Sequence, residues 1–200
     1  MDVLERYCRD VELFSNYPSY SNESPNLHVE VVEIPSHRFE LNYQSVRLVD
    51  EDHRLFWTAV ESMRAGRAFT WSPKKLTTIK GAGGNAAADS TPAGSETLSV
   101  YNVTAPAGVV WLKAGDLITV ANQTKVYMVM LDATPDNAGR VTLSLNCPIK
   151  TAVPAGTVVN GSGAAFTLIR KPGAKPQSFK LSGQTAGKAE YSELEFVELL

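Results

Sequence analysis

From Arg38 to Gln44 apolar and polar side chains alternate without a break: Phe39, Leu41 and Tyr43 on one side, Arg38, Glu40, Asn42 and Gln44 on the other. Successive strand side chains point to opposite faces, so this is the pattern of a strand with one buried face. A short β-branched run, Val29-Glu30-Val31-Val32-Glu33-Ile34, precedes it and stops at Pro35. A different period follows. Leu55, Phe56, Ala59, Val60 and Met63 share one helical face. Asp50, Glu51 and Asp52 supply an N-cap and favourable charge at the helix start. Gly66, flanked by Arg64 and Arg67, is a natural stop. The expectation is a helix over about 51–65, followed by a strand at Phe69-Thr70-Trp71. Near the other end Ser192, Leu194 and Phe196 alternate with Glu193, Glu195 and Val197, as a returning strand would. The first 27 residues carry two competing patterns. Val3, Leu4, Tyr7, Cys8 and Val11 have helical spacing, whereas Val11-Glu12-Leu13-Phe14 suits a strand. Residues 15–26, rich in Ser, Asn, Pro and Tyr, read as a loop.

The middle of the chain changes character. Short apolar runs at 97–102, 117–120, 126–131, 141–145, 157–160 and 166–170 are separated by Gly, Pro, Asn and Asp. Examples of these turns are Ala114-Gly115-Asp116 and Pro135-Asp136-Asn137-Ala138-Gly139. Many short strands with frequent turn signals predict an all-β unit, and the length suits an OB-like barrel. Two segments look like its borders. Residues 81–90 are small and glycine-rich, as flexible linkers are. Lys171-Pro172-Gly173-Ala174-Lys175-Pro176 is a strong loop signal. A final segment of about 25 residues cannot bury its own apolar face and must join an existing sheet. The expected organisation is therefore an outer domain of residues 1–87 plus 174–200, interrupted by an inserted domain of residues 88–173.

Charge sharpens this division. Residues 81–174 hold 6 Lys/Arg and 5 Asp/Glu, against 10 and 12 in residues 1–80. The whole chain of 200 residues has a formal net charge of -2, which gives no overall basic footprint for nucleic acid. No apolar run approaches the roughly 20 residues of a membrane-spanning helix. The acidic start, Met1-Asp2-Val3-Leu4-Glu5-Arg6, does not read as a secretory signal, so synthesis in a cytoplasm is expected. Cys8 and Cys147 are expected as free, packed thiols, as reducing compartments favour. His28, His37 and His53 are scattered, with no zinc-like His/Cys spacing, so neither metal nor cofactor is expected.

Candidate chemistry is sparse, and no catalytic residue is assigned. Gly161-Ser162-Gly163 lacks the context of a nucleophile elbow and reads as a loop. Gly81-Ala82-Gly83-Gly84-Asn85 lacks the following helix and lysine of a phosphate cradle. Glu193 and Glu195 share one strand face about 7 Å apart. That spacing is compatible with glycoside hydrolysis, yet no sugar platform accompanies the pair, and a solvated or interface face is the better reading. Trp111 and Tyr127 with Lys125 are candidates for a stacking surface on the barrel, with core packing as the favoured alternative.

Several stretches together resemble siphophage distal tail proteins. The strand pair leading to Asp50-Glu51-Asp52-His53-Arg54-Leu55-Phe56-Trp57 and then Phe69-Thr70-Trp71 is similar to their first domain. Lys113-Ala114-Gly115-Asp116-Leu117-Ile118, Lys125-Val126-Tyr127 and Gly139-Arg140-Val141-Thr142-Leu143-Ser144-Leu145 are similar to their middle element. Ala165-Phe166-Thr167-Leu168 leading to Tyr191-Ser192-Glu193-Leu194-Glu195-Phe196 is similar to the return into the first domain. The resemblance spans roughly residues 27–200 and is sharpest at Ala114-Gly115-Asp116. It implies a mainly β chain: a β-sandwich-like first domain with one α-helix, interrupted by an OB-fold domain. It also implies a non-enzymatic structural protein of the virion, at the distal end of the phage tail. Six copies would form a ring between the tail tube protein and the baseplate hub protein, with DNA passing through the lumen unbound and no membrane insertion. On that reading Tyr191, Glu193 and Glu195 line the lumen or a subunit interface, where carboxylates repel DNA phosphates. One alternative is a carbohydrate-binding module that meets host-surface glycan through an exposed barrel surface at Trp111, Lys125 and Tyr127. A single-strand nucleic-acid binder comes next, and an enzyme last.

Overall fold

The computed structural model describes residues 3–23, 29–34, 36–63, 66–174, 188–189 and 194–200. Its elements run α1 (Val3–Arg6), β1 (Cys8–Asn16), β2 (Ser19–Glu23), β3 (Val29–Glu33), β4 (Arg38–Ser45), β5 (Leu48–Val49), α2 (Asp50–Ser62), β6 (Phe69–Trp71) and α3 (Lys74–Thr77). They continue with β7 (Gly84–Ala88), β8 (Thr97–Tyr101), β9 (Leu117–Val120), β10 (Val126–Met128), β11 (Val141–Ser144), β12 (Val158–Gly161), β13 (Phe166–Arg170), β14 (Lys188–Ala189) and β15 (Leu194–Glu198). The chain is mainly β, as its alternating patterns require. No helix among the described residues is long and apolar enough to cross a membrane.

The alternating segment becomes β4, with Phe39, Leu41 and Tyr43 buried and Arg38, Glu40, Asn42 and Gln44 on the wetter side. It lies inside a five-stranded antiparallel sheet of order β1-β4-β15-β13-β6. The helix expected at about 51–65 is α2. Its Phe56 packs in a stacked arrangement on Tyr43 and edge-on to Tyr7. The N-cap position falls on Val49, which makes no side-chain cap bond. The acidic residues lie within the first turn, where Asp52 accepts a hydrogen bond from the Tyr7 hydroxyl at 2.5 Å. Both patterns in the first residues are used in turn. Val3–Arg6 is one turn of helix, and Cys8–Asn16 is a strand with a register shift between Cys8 and Asp10. Part of the expected loop at 15–26 is a strand: β2 pairs with β3 as a separate two-stranded ribbon.

The second large sheet has the order β10-β9-β12-β7-β8-β11. It curls until its edges meet at a bridge between Val129 and Leu145, where Met130 N–H donates to the Ser144 carbonyl at 2.8 Å. Every strand of this inner sheet lies between β6 and β13 in sequence. Each sheet has its own apolar cluster, and Leu117 and Val126 of the inner sheet reach into the outer one.

Two border expectations are corrected. Phe166–Arg170, expected inside the barrel, is an interior strand of the outer sheet, paired with both β15 and β6. Phe166 faces Trp71 and Leu168 faces Phe69 in register, and these large side chains complete the outer core. Gly84–Ala88, expected as linker, is a central strand of the inner sheet, with Ala86 and Ala88 buried. The sheets therefore hand over near residues 84 and 161, not 88 and 173. Small residues are required there because Trp111 lies across them. A Cβ on Gly161 would sit 2.6 Å from the Gly84 carbonyl oxygen and 2.9 Å from Trp111 Cζ2. The approach to β7 is also tied down. The Asp116 carboxylate, buried within the Ala114-Gly115-Asp116 turn, accepts N–H groups from Lys80 at 2.8 Å, Gly81 at 3.2 Å and Lys113 at 2.8 Å.

Overpacking a closed site costs about 1–3 kcal/mol or more. Gly161→Ala is therefore expected to lower unfolding free energy by at least about 2 kcal/mol in a denaturant titration. Gly66→Ala, where a Cβ meets nothing within 4 Å, is the neutral control.

Candidate functional site

Three buried polar side chains, Lys125, Glu198 and His37, gather at the seam between the two sheets. Lys125 precedes β10 and Glu198 ends β15, and both side chains are at most 3% exposed. Their ammonium and carboxylate meet at 2.7 Å. The same Glu198 oxygen accepts the Phe39 N–H at 3.0 Å, and its other oxygen accepts the Val126 N–H at 2.6 Å. The ammonium also sits 4.8 Å from the Phe39 ring centroid and 5.8 Å from that of Tyr127, within cation–π range. A carboxylate with both oxygens filled and a cation held between ring faces is the arrangement that makes a buried charge pair tolerable.

A second cluster lies beside this pair. His37, only 4% exposed, contacts Ser15 Oγ at 2.9 Å and Asn146 Nδ2 at 3.4 Å through its Nε2. Tyr17 stacks at a tilt on the imidazole and donates its hydroxyl to the Asn146 carbonyl at 2.8 Å. Asn146 Oδ1 accepts the Met128 N–H. Thus β1, β4 and the 144–147 turn are laced together by side chains from both sheets. A cavity of about 450 Å³ opens here, with His37, Lys125, Cys147, Ile149 and Lys150 among its walls.

The protonation states argue against nucleophilic catalysis in this cavity. Burial, helped by the Lys125 charge, pushes His37 down to about 4, so the imidazole is neutral near pH 7. Burial raises the Cys147 thiol to about 11 against the opposing pull of Lys125. A catalytic cysteine needs the reverse, a thiolate beside an imidazolium. Burial also holds the Tyr127 phenol up at about 12, although the Lys150 backbone N–H opposes this.

The residues singled out in the sequence fall as follows. Trp111, Lys125 and Tyr127 do not form an exposed barrel surface; all three are buried. Trp111 packs against the glycines of β7 and β12, and the other two belong to the seam. An aromatic side chain suits a core position as well as a stacking face, which is why sequence left both open. Tyr191 and Glu193 lie outside the described residues, as does His28. Glu195 is described, and it is not a free carboxylate. Lys171 reaches it at 3.0 Å and Glu40 at 3.1 Å, while Arg38 pairs with Glu40 at 2.7 Å. Burial opposes ionisation of Glu40, but hydrogen bonds from Asn16, Lys171 and Arg38 outweigh it and hold Glu40 at about 2. This two-cation, two-anion group is balanced, and Asp10 and Glu12 of β1 are exposed on the same face of the sheet. In the glycine-rich segment, the N–H groups of Lys80, Gly81, Ala82 and Gly83 all go to protein acceptors, which leaves none of the four for a phosphate. Cys8 is half-buried and Cys147 buried, and both are free. Among the described residues no group of three His, Cys, Asp or Glu side chains converges as a metal site. Sequence reasoning missed Glu198 and Asn146, whose partners lie 73 and 109 positions away.

No protein-family model matches the chain, and no curated protein sequence matches it.

Removing one member of a buried pair strands the other charge, at a cost of about 3–5 kcal/mol. Lys125→Met is expected to destabilise by that amount. Glu198→Gln in the same background should add less than it costs alone, with a coupling on the order of 1–3 kcal/mol in a double-mutant cycle. Acid should also weaken the fold through His37. The unfolded imidazole takes up a proton near 6.5 and the folded one only near 4. Stability is therefore expected to fall by on the order of 3 kcal/mol as pH drops through that window, and His37→Gln should flatten this part of the pH profile. Below about 4.5 loss of Glu40 ionisation adds to the decline, down to about 2.

Proposed function

We propose that this protein is a structural subunit of a bacteriophage tail tip, of the distal tail type, and that it works by assembling into a ring between tail tube and baseplate hub. The observation that carries this reading is the β2–β3 ribbon. It pairs with no other strand among the described residues, and every residue of Ser19–Glu23 is exposed. Tyr20 is 72% exposed, and Val31 and Val32 are 55% and 57% exposed. An isolated two-stranded ribbon is marginal in water, and large apolar side chains held out from a fold mark a contact surface. In register Tyr20 lies opposite Val32, which places an aromatic and a β-branched side chain together on one face.

The outer sheet supports the same reading. β1 is nine residues long and occupies one edge, and β6 occupies the other. Long open edges invite pairing with another chain, and a head-to-tail contact between unlike surfaces closes into a ring when the rotation allows. The chemistry at the seam serves packing, since its histidine is neutral, its thiol protonated and its ion pair internally satisfied. The group of Arg38, Glu40, Lys171 and Glu195 is balanced, and exposed Asp10 and Glu12 add acids to the same sheet face, which suits a lumen that DNA passes without adhering. The carbohydrate-binding alternative loses its surface with the burial of Trp111, Lys125 and Tyr127.

An antibody against the protein, imaged by negative-stain microscopy on intact virions, is expected to label the distal end of the tail alone. Labelling along the shaft, on the capsid, or not at all would contradict the proposal. Tyr20→Glu with Val32→Asp is expected to abolish incorporation into virions. The isolated subunit should keep its stability within about 0.5 kcal/mol, as for other exposed positions.

A further inference from the structure

The ribbon and the outer sheet belong to one long hairpin that is interrupted at the ribbon's root. The ladder between β1 and β4 ends at Asn16 opposite Arg38, and the ladder between β2 and β3 begins at Ser19 opposite Glu33. Tyr17 and Pro18 join the strands on one side, and the longer stretch from Ile34 to His37 joins them on the other. Unequal connections break the register, and Pro18 and Pro35 have no N–H to give to a ladder. The Ile34 N–H donates to the Pro18 carbonyl at 3.0 Å, which extends the ribbon without carrying its ladder back to the outer sheet. The outer ladder therefore does not by itself fix the direction in which the ribbon leaves.

We propose that the inner sheet fixes that direction, with Asn146 and Tyr17 as positioning residues that clamp the root. Asn146 lies in the turn after β11 and touches both sides of the hairpin. On one side its carbonyl accepts the Tyr17 hydroxyl at 2.8 Å, and its Nδ2 donates back to that hydroxyl at 3.2 Å. On the other side the same Nδ2 lies 3.4 Å from His37 Nε2. The Tyr17 ring closes the triangle by lying on the imidazole, with ring centroids 4.5 Å apart. Both ends of the clamp are anchored. The Asn146 side chain accepts the Met128 N–H at 2.8 Å, and its backbone N–H donates to the Met128 carbonyl at 3.0 Å, so Asn146 moves with the inner sheet. His37 is buried edge-on against Phe39 of β4. Tyr17 itself is 45% exposed and adds little to either core, so its contacts are those of a fastener. The clamp holds the root and leaves the ribbon ladder beyond it free to open. A ring closes only when every subunit offers its contact at one angle. The inner sheet thus aims the ribbon at the next copy, a consequence that rests on the tail-tip reading, whereas the clamp does not.

The test is the distance distribution between two nitroxide labels on the isolated full chain, measured by pulsed electron resonance. The labels go on Ser19→Cys, the first ribbon residue, and Ala155→Cys, in an exposed turn of the inner sheet. Cys8→Ser removes the half-buried thiol, and buried Cys147 stays unlabelled. One narrow distribution is expected with Tyr17 in place. Tyr17→Phe deletes both hydroxyl bonds and keeps the ring, and should widen the distribution about twofold. Tyr17→Ala, which also takes the ring off His37, should widen it further. A control pair at Glu12→Cys and Ala155→Cys spans the two sheets and should stay narrow in both variants. The melting temperature of Tyr17→Phe should fall by no more than about 5 °C. A distribution unchanged in both variants, a broad one with Tyr17 intact, or a control pair that widens together with the ribbon pair would overturn the clamp. Failure of the antibody to label the tail end would overturn the tail-tip reading and leave this measurement standing.

Discussion

The rest of the structure depends on one ion pair kept away from water. Lys125 leads into the inner sheet and Glu198 ends a strand of the outer one, so their contact joins the two sheets. Taking two charges out of solvent costs several kcal/mol each, so an apolar pair of similar size would hold the sheets together at least as well. What the charged pair adds is selectivity. Glu198 is satisfied only when Lys125 Nζ, Phe39 N–H and Val126 N–H all arrive at once. A shifted docking would strand a charge, so one relative placement is strongly preferred.

That constraint explains the surroundings of the seam. Leu117 and Val126 of the inner sheet belong to the outer apolar cluster, and Val126 follows Lys125 directly and donates its N–H to Glu198. His37, Ser15, Tyr17 and Asn146 then meet across the same joint. Their burial keeps the imidazole neutral and the neighbouring thiol protonated, so a place that brings histidine, cysteine and lysine together is nonetheless poorly suited to nucleophilic chemistry. The two polypeptide crossings between the sheets are similarly restrained, the first by the Asp116 carboxylate and both by the close approach of Gly84 and Gly161 beneath Trp111.

The sequence revealed elements whose period is unambiguous. β4 alternates strictly over seven residues, and α2 repeats its apolar face at Phe56, Val60 and Met63, so both were legible, although Leu55 of the same pattern is exposed. The last strand was legible because its alternation has one consistent inward face at Leu194 and Phe196. β13 and β7 were not assigned correctly for opposite reasons. Phe166-Thr167-Leu168 alternates equally well for either sheet, and only its partners Trp71 and Phe69 decide which. Gly84–Ala88 has almost no side chains to show a period, and its strand conformation is imposed by neighbours. The seam was invisible because each of its charges sits in an ordinary local context. The pair exists only through a separation of 73 residues.

The functional account rests on a ribbon that the subunit does not support by itself. Amide hydrogen exchange tests this directly when the isolated protein is compared with the same protein in the assembled tail tip. In the isolated subunit β4 and the inner sheet should be protected while the amides of Ser19–Glu23 exchange near the unprotected rate. In the assembly those ribbon amides should become slow. Equal protection in both states, or a ribbon that stays fast within the particle, would contradict the account.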